Sequence, residues 1–250
     1  MPPERSRNLD WEGCLNVRDL GGHATDGGSE TRFGSIVRAD SVRRLTDAGW
    51  GAAVDYGVRT VVDLRMDWEL QADPAAALPV DVVHVPFLEE NDQAFAEVEA
   101  AAEAAPDYAT ATRDVYLVFL ERFRENVAAA ISAVARAPAG AVVVHCMGGK
   151  DRTGLVVAFL LRLAGVAEEE IADDYAQSEE RLRPRHDLWI AEAGTEAERE
   201  RIRRIAAAPA AAMLGVLDEL ERRYGGVEAF LRAAGLSDDD IELARARLRA

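Results

Sequence analysis

A short stretch of the chain, residues 144–154, contains a cysteine, an arginine and three glycines at a spacing that suits chemistry on an anion. An apolar, strand-like run leads into it and an apolar, helix-like run follows it. A glycine-containing turn between a strand and a helix directs successive backbone N–H groups into one concavity, and the helix dipole adds partial positive charge. The same field favours the thiolate form of a cysteine, which is its nucleophilic form. The pattern predicts that Cys146 is a nucleophile beside a bound oxyanion.

Arg152 follows Cys146 by six residues and supports this interpretation. It lies in the first turn of the predicted helix, where a cation is unfavourable unless it meets an anion. A guanidinium donates two parallel hydrogen bonds to a phosphate and stabilises its transition state. Thr153 is expected to donate its hydroxyl to the sulfur of Cys146 and so stabilise it as a leaving group. His145 is expected to orient the turn through hydrogen bonds rather than to act in catalysis.

Lys150 is the single lysine of the chain, against 28 arginines. Its position inside the turn indicates that a compact, strongly hydrated charge is required there, which the planar fork of arginine does not supply. The turn is called the phosphate loop below and comprises residues 146–152. Its predicted phosphate-binding residues are Met147, Gly148, Gly149, Lys150, Asp151 and Arg152.

Three other interpretations of the phosphate loop are weaker. The first is a strand–turn–helix connection with a buried cysteine, which the combined Cys-x5-Arg-Thr-Gly spacing disfavours; Cys14, by contrast, is interpreted as a small buried hydrophobe. A nucleotide-binding P-loop is excluded because Val144 occupies the position of its first glycine and Asp151 follows the lysine. A metal site is not supported, since one cysteine and one adjacent histidine cannot form one alone. No metal and no cofactor are predicted.

The composition restricts partners and location. The formal net charge of −16 argues against nucleic acid and anionic membranes as partners, because both are repelled at long range. No apolar run approaches the roughly 18 residues needed to cross a bilayer, so no stable membrane insertion is predicted. The first ten residues lack the apolar segment of a signal peptide. A cytoplasmic location is predicted, and secretion without a cleaved signal is left open.

Hydrophobic patterning predicts the elements that hold the phosphate loop. Near-continuous apolar runs suit strands buried on both faces. Residues 91–107, rich in alanine and glutamate, are interpreted as a solvated helix or a mobile segment. The fold class predicted is α/β, with a mixed, largely parallel central sheet flanked by helices and a helical C-terminal portion, in one domain over residues 1–250. Strands are predicted at 35–39, 60–64, 80–86 and 141–145, and helices at 46–56 with Thr46 as N-cap, 115–134, 153–164 and from 168 onward.

The motif His145-Cys146-Met-Gly-Gly-Lys-Asp-Arg-Thr-Gly154 resembles that of the protein tyrosine phosphatase superfamily, whose signature is His-Cys-x5-Arg-Ser/Thr. With Lys-Asp-Arg in the loop it is most similar to the bacterial tyrosine and lipid phosphatases. The resemblance extends over nearly the whole chain. It includes residues 16–22 (Asn-Val-Arg-Asp-Leu-Gly-Gly), 37–40 (Val-Arg-Ala-Asp), 62–65 with Glu69, 171–178 and 224–230.

This resemblance implies metal-free hydrolysis of phosphotyrosine, often of phosphoserine or phosphothreonine, and of phosphoinositides. It implies a role for Lys150 as a second anion contact. Relatives of this kind also carry helical lids, for which residues 91–112 and 181–208 are the candidates here. The expected substrate is a phosphorylated protein, a phosphoinositide or a phosphorylated small molecule, and the sequence does not choose among them.

Two aspartates compete for the role of proton donor to the leaving oxygen. Asp151 matches the acid of the bacterial subgroup and is favoured. Asp92 matches the mobile acid loop of the wider superfamily, although its acidic surroundings also fit simple solvation. Four further residues are candidates for positioning the site. Asp63 and Arg65 are predicted to position the phosphate loop or to contact Lys150, and Arg18 and Asp19 to brace the site. For each of the four, a purely structural salt bridge or hydrogen bond is the favoured interpretation.

The expected reaction has two steps, namely attack of the Cys146 thiolate on phosphorus with protonation of the departing alcohol, then hydrolysis of the phosphocysteine. One rival is a non-catalytic module that binds phosphorylated partners through the same loop. A second rival is a sulfur- or arsenate-handling enzyme, which the Lys-Asp pair and the absence of a second cysteine near the loop disfavour.

Overall fold

The computed structural model describes residues 6–73 and 78–249 of the chain. Within these ranges five strands form one sheet in the order β1-β2-β5-β3-β4. β1 runs antiparallel to β2, and the other neighbouring pairs are parallel. The mixed, largely parallel sheet flanked by helices confirms the predicted fold class. The strands are β1 (Arg18–Asp19), β2 (Ile36–Ala39), β3 (Val58–Asp63), β4 (Asp81–His84) and β5 (Ala141–His145).

Helices cover both faces of the sheet and make up most of the second half of the chain. Thr46 caps the first of them by accepting a hydrogen bond from the backbone N–H of Gly49, as predicted. The α-helices of the described ranges are α1 (Asp47–Tyr56), α2 (Asp67–Ala72), α3 (Asp92–Ala104), α4 (Tyr108–Arg122), α5 (Arg124–Arg136), α6 (Asp151–Leu163), α7 (Glu168–Glu192), α8 (Glu196–Ala206), α9 (Ala210–Tyr224), α10 (Val227–Ala233) and α11 (Asp238–Leu248).

Two apolar cores flank the sheet. The larger one lies between the sheet and α4–α7 and α9–α11, and α6 is buried on nearly all sides within it. The smaller one lies on the opposite face, where Trp11, Leu45 and α1 pack on β2, β3 and β5. Because β2 and β3 flank β5 in parallel, Ala39 and Asp63 both lie beside His145, so that three strands end at one edge. The phosphate loop therefore begins at the carboxyl edge of the sheet, between two neighbouring strand ends.

Two elements differ from their sequence prediction, and residues 91–107 adopt the helical one of their two predicted alternatives. The helix expected at 115–134 is two helices, because Phe123 leaves the helical conformation (φ −128°, ψ 29°) while its ring is buried in the larger core. β1 was not predicted, since two residues are too short to show a period. Residues 91–107 are mostly helical, as α3, which begins at a cap formed by Asn91. No helix within residues 6–73 and 78–249 is long and apolar enough to span a bilayer.

Candidate active site

The phosphate loop connects the end of β5 to the first turn of α6. Gly149 adopts a left-handed conformation, with φ of 63°. A Cβ atom at this position would lie 2.3 Å from the carbonyl oxygen of Ala39, at the end of the neighbouring strand. Only glycine satisfies both conditions, which is the physical reason for a glycine at this point of the loop.

The carbonyl groups of the loop are bound by residues outside it. The oxygen of Met147 accepts a hydrogen bond from the backbone N–H of Ser41 at 3.1 Å. The side-chain amide of Asn16 donates to the oxygens of Gly148 and Gly149, at 3.1 and 3.0 Å. In a trans peptide the N–H points opposite to the C=O, so the N–H groups of Gly148, Gly149 and Lys150 point away from these partners. This orientation leaves three N–H donors for an anion on the other side of the loop.

Asn16 is itself fixed by its neighbours. Its backbone N–H donates to the carboxylate of Asp40 at 2.9 Å, and its side-chain oxygen accepts a hydrogen bond from Arg18 at 2.5 Å. The other oxygen of Asp40 accepts a hydrogen bond from Arg185, on α7, at 2.5 Å. The N-terminal segment therefore braces the loop, through Asn16 as well as through the predicted Arg18.

A fully buried cluster of two arginines and one aspartate extends this brace into α7. Asp174 accepts hydrogen bonds from Arg18 at 3.0 Å and from Arg38 at 2.6 Å, and Arg38 also donates to the carbonyl oxygen of Gly149 at 2.7 Å. Burial raises the pKa of Asp174, but the charges of the two arginines outweigh it and hold the pKa far below its ordinary value. Asp174 is therefore ionised, and it joins β1, β2 and α7 to the phosphate loop.

On the other side of the loop, His145 lies beside Asp63, one of the two residues predicted to position the phosphate loop. Its Nδ1 lies 3.1 Å from the carbonyl oxygen of Cys146, and its Nε2 lies 3.5 Å from the carboxylate of Asp63. Asp63 is paired with Arg65 at 2.8 Å. Burial raises the pKa of Asp63, whereas hydrogen bonds from His145 and Arg65 outweigh burial and lower it well below its ordinary value. Asp63 and Arg65 thus contact the loop through His145 rather than through Lys150.

Cys146 is buried, with 2% of its surface exposed, and lies at the other end of the phosphate loop from Arg152. Both terminal nitrogens of Arg152 donate to the carboxylate of Glu69, one of them at 2.9 Å. Burial lowers the pKa of Arg152, but Cys146 and Glu69 raise it above its ordinary value. The guanidinium is charged and its orientation is set by Glu69. The hydroxyl of Thr153 is fully buried without a hydrogen-bond partner among the described residues, so the expected bond to Cys146 is not formed in this structure.

The two candidate acids lie in different surroundings. Asp151 accepts hydrogen bonds at one oxygen, Oδ1, from Lys150 and from the hydroxyl of Tyr116, both at 2.6 Å. Burial raises the pKa of Asp151, but Lys150 and Tyr116 outweigh burial and lower it below its ordinary value. Asp92 is the exposed first residue of α3, and its side chain makes no hydrogen bond or ion pair with the described residues. Asp151 is therefore a hydrogen-bonded member of the phosphate loop, whereas Asp92 lies outside the loop on the surface of α3.

The two candidate lid segments, 91–112 and 181–208, contact each other. Tyr108 on α4 donates to Glu200 on α8 at 2.5 Å, and Arg204 donates to the carbonyl oxygen of Ala102 at 3.2 Å. Lys150 is buried and donates to the carbonyl oxygen of Ala207 at 3.1 Å, so segment 181–208 also contacts the phosphate loop. In this structure the ammonium of Lys150 is engaged by Asp151 and Ala207.

Comparison with known proteins agrees with this geometry. A model of the tyrosine phosphatase family matches residues 9–250. The chain belongs to the tyrosine phosphatase family. It is 29% identical over 223 residues to a tyrosine-protein phosphatase of Nostoc commune, covering 86% of this chain and 74% of that protein. It is 28% identical over 268 aligned positions to the triple specificity protein phosphatase PtpB of Mycobacterium tuberculosis, covering 93% of this chain and 96% of that protein. The predictions of the superfamily and of a phosphatase are confirmed.

Sequence reasoning assigned no role to several residues that bind the phosphate loop of this tyrosine phosphatase, or that bind the residues supporting it. Most of them lie in segments whose sequence resembles the family. The resemblance was detectable for each segment as a whole, but it did not show which side chains contact one another. Tyr116 carried no signal, since it lies in an ordinary amphipathic helix. The residues without an assigned role were Asn16, Arg38, Asp40, Glu69, Tyr116, Asp174, Tyr175, Ser178 and Arg185.

Proposed function

We propose that this phosphatase hydrolyses phosphate monoesters through a phosphocysteine formed on Cys146, with Asp151 as proton donor and acceptor. The observation that carries the proposal is the outward binding of three consecutive loop carbonyls, which turns the opposite N–H groups toward one side. Together with the charged guanidinium of Arg152, these donors suit the three non-bridging oxygens of a phosphate. Cys146, at the start of the same loop, is proposed to attack phosphorus in line as its thiolate.

In the first step the sulfur of Cys146 forms a bond to phosphorus while the bond from phosphorus to the ester oxygen breaks. The leaving oxygen takes the proton of Asp151 and departs as an alcohol or phenol. Arg152 and the loop N–H groups stabilise the charge on the equatorial oxygens. In the second step water attacks phosphorus and gives a proton to the Asp151 carboxylate. The bond from sulfur to phosphorus breaks, and inorganic phosphate and the thiolate are released.

Substrate binding itself favours the acid form of Asp151. Without substrate, Lys150 and Tyr116 keep the pKa of Asp151 below its ordinary value. A phosphate dianion beside the carboxylate raises this pKa, since two neighbouring negative charges disfavour ionisation. Asp151 therefore takes up a proton as the substrate binds and releases it to the leaving group. The contacts of Asp151 with Lys150 and Tyr116 favour it over Asp92.

For substrates, we propose phosphotyrosine, with phosphoserine, phosphothreonine and phosphoinositides as further candidates. The names of the two relatives, a tyrosine-protein phosphatase and a triple specificity protein phosphatase, support a protein substrate. Segments 91–112 and 181–208 are proposed as lids, because they contact each other and one of them contacts Lys150. Opening them would expose Lys150 to a second anionic group of the substrate.

The decisive experiment replaces the nucleophile. Cys146→Ser is expected to lower kcat on an aryl phosphate and on a phosphotyrosine peptide by roughly 10⁴-fold or more, while the thermal unfolding temperature changes little. Rapid quenching of the wild type followed by mass spectrometry should detect a phosphate on the peptide containing Cys146. Vanadate is expected to inhibit and a chelator to have no effect.

Cys14→Ser is the matched control. This second thiol is half-buried and donates to the carbonyl oxygen of Ser41 at 3.4 Å, and burial followed by the charge of Asp40 raises its pKa, so it stays protonated. The Cys14→Ser variant should turn over at about the wild-type rate. Full turnover by Cys146→Ser, or a phosphate trapped elsewhere in the chain, would refute the proposal.

A further inference from the structure

Two buried tyrosines form a hydrogen-bonded chain that ends on Asp151. Tyr116 on α4 donates its hydroxyl hydrogen to Asp151 Oδ1 at 2.6 Å. The hydroxyl oxygens of Tyr116 and Tyr175, the latter on α7, lie 2.8 Å apart. Each tyrosine is 1% exposed, and their rings meet edge to face at 6.1 Å. Neither residue belongs to the phosphate loop, and the proposed mechanism requires neither of them to touch the substrate.

The directions of these hydrogen bonds follow from the number of hydrogens available. A phenol has one hydrogen, and Tyr116 gives its hydrogen to Asp151, so Tyr175 must donate to the oxygen of Tyr116. Burial, followed by the charge of Asp151, raises the pKa of Tyr116 well above its ordinary value, and burial also raises the pKa of Tyr175. Both tyrosines therefore remain protonated donors over the working pH range.

Asp151 Oδ1 receives a second hydrogen bond, from Lys150 Nζ at 2.6 Å. The other oxygen, Oδ2, accepts no hydrogen bond from the described residues, and the side chain is 41% exposed. A proton on Oδ1 would face two donors at once, which is unfavourable, whereas Oδ2 is free to carry one. The two carboxylate oxygens are therefore not equivalent.

We propose that Tyr116 is a positioning residue for proton transfer: together with Lys150 it occupies Oδ1 of Asp151, so that the transferred proton resides on Oδ2. Tyr175 acts through Tyr116 by fixing the direction of its hydroxyl. This inference deepens the proposed function and rests on Asp151 being the group that exchanges the proton.

The titratable and charged groups that face Asp151 come from three elements. They are Lys150 and Arg152 in the phosphate loop, Tyr116 on α4, and Tyr175 and His186 on α7. Burial, followed by the charges of Lys150 and Arg185, lowers the pKa of His186, so this histidine is neutral near pH 7. Removing the Tyr116 hydroxyl takes away a hydrogen bond that favours the ionised carboxylate. The pKa of Asp151 must then rise, and the alkaline side of the activity profile must move to higher pH.

The test is the pH dependence of kcat for a phosphotyrosine peptide, which reports ionisations in the enzyme–substrate complex, measured with Tyr116→Phe. The alkaline limb is expected to shift upward by about one pH unit. At the optimum pH, kcat should fall by about 10-fold, because the carboxylate is no longer held in one orientation. An aryl phosphate with a very acidic leaving group should lose less activity, since its leaving oxygen does not require the proton.

Tyr224→Phe is the control, because Tyr224 is the last residue of α9 and its hydroxyl makes no hydrogen bond with the described residues. Its alkaline limb should coincide with that of the wild type. Tyr175→Phe should shift the limb in the same direction as Tyr116→Phe, by a smaller amount, and it carries the test if Tyr116→Phe does not fold.

An unshifted alkaline limb in a folded Tyr116→Phe protein overturns the inference. So do equal losses on both substrates, which indicate a structural role for the hydroxyl. Asp151→Asn separates this failure from failure of the proposed function. If Asp151→Asn loses much more activity on the phosphotyrosine peptide than on the aryl phosphate, and Tyr116→Phe keeps the wild-type limb, only the positioning role is lost.

Discussion

At the scale of single residues, the guanidinium of Arg152 is already paired before a substrate is present. Glu69 is 4% exposed and accepts from both terminal nitrogens of Arg152. Burial raises the pKa of Glu69, but the hydrogen bonds and charge of Arg152 outweigh burial and lower it. Glu69 is therefore a carboxylate at neutral pH, which compensates the partly buried guanidinium and fixes its direction. The guanidinium can then bind an oxyanion without reorienting.

Glu69→Gln is expected to remove this compensation while keeping the shape of the side chain. The free energy of unfolding should fall by about 2 kcal/mol, because a partly buried guanidinium loses its counter-charge. Tungstate is an oxyanion that we expect to bind at the phosphate site and to replace part of the lost counter-charge. It should therefore raise the melting temperature more in the variant than in the wild type. Thermal melting with and without tungstate measures both effects. Asp67→Asn, an exposed carboxylate in the same helix, is the control. Equal tungstate stabilisation in Glu69→Gln and wild type would contradict this role.

At the scale of elements, the cluster of Arg18, Arg38 and Asp174 attaches α7 to two strands and to the phosphate loop. Because the folded pKa of Asp174 is depressed, its contribution to stability is present above the ordinary aspartate pKa of about 3.9. It is lost as the pH falls toward the folded value. Acidification should therefore loosen the loop support as well as lower the overall stability.

Asp174→Asn should destabilise the fold by about 3–5 kcal/mol, since it leaves two arginines buried without a counter-charge. Denaturant unfolding at pH 7 measures the loss of unfolding free energy. The difference in this free energy between variant and wild type should become smaller as the pH is lowered, because Asp174 of the wild type is then protonated. The neighbouring Asp173 is exposed on the same helix, so Asp173→Asn should change stability little. A variant as stable as the wild type would show that the arginines find compensation elsewhere.

The sequence predicted the features that depend on residues close together in the chain, and it did not predict the contacts between residues far apart in the chain. The phosphate loop, β5 and α6 form one continuous pattern, so their arrangement followed from periodicity and spacing. Arg38 and Asp174 are 136 positions apart, and a pairing at that separation leaves no periodic trace. No glycine or proline marks the break between α4 and α5 at Phe123 in the sequence. It follows from burial of an aromatic ring, which only the assembled core determines.

At the scale of the whole molecule, the net charge of −16 opposes the approach of anionic substrates. Salt screens this repulsion, because the Debye length falls to about 8 Å at physiological ionic strength. The same screening weakens the attraction of a basic substrate.

The kcat/KM for a peptide whose phosphotyrosine is flanked by glutamates should therefore rise about 3-fold between roughly 20 and 150 mM NaCl. A peptide with the same phosphotyrosine flanked by lysines serves as the matched comparison, and its kcat/KM should fall over the same range. Steady-state kinetics at fixed pH measures both. Parallel responses of the two peptides would show that the net charge does not govern encounter.

Pro184 divides the 25-residue α7 into two parts with different attachments. The N-terminal part is anchored through Asp174 and Ser178 in the buried cluster, whereas the C-terminal part continues toward α8 and is attached through Arg185 to Asp40. Proline lacks the backbone donor that would complete the helical ladder, so bending costs least at this residue. The two attachments of α7, to the buried cluster through Asp174 and to Asp40 through Arg185, are therefore joined across the least stiff point of the helix.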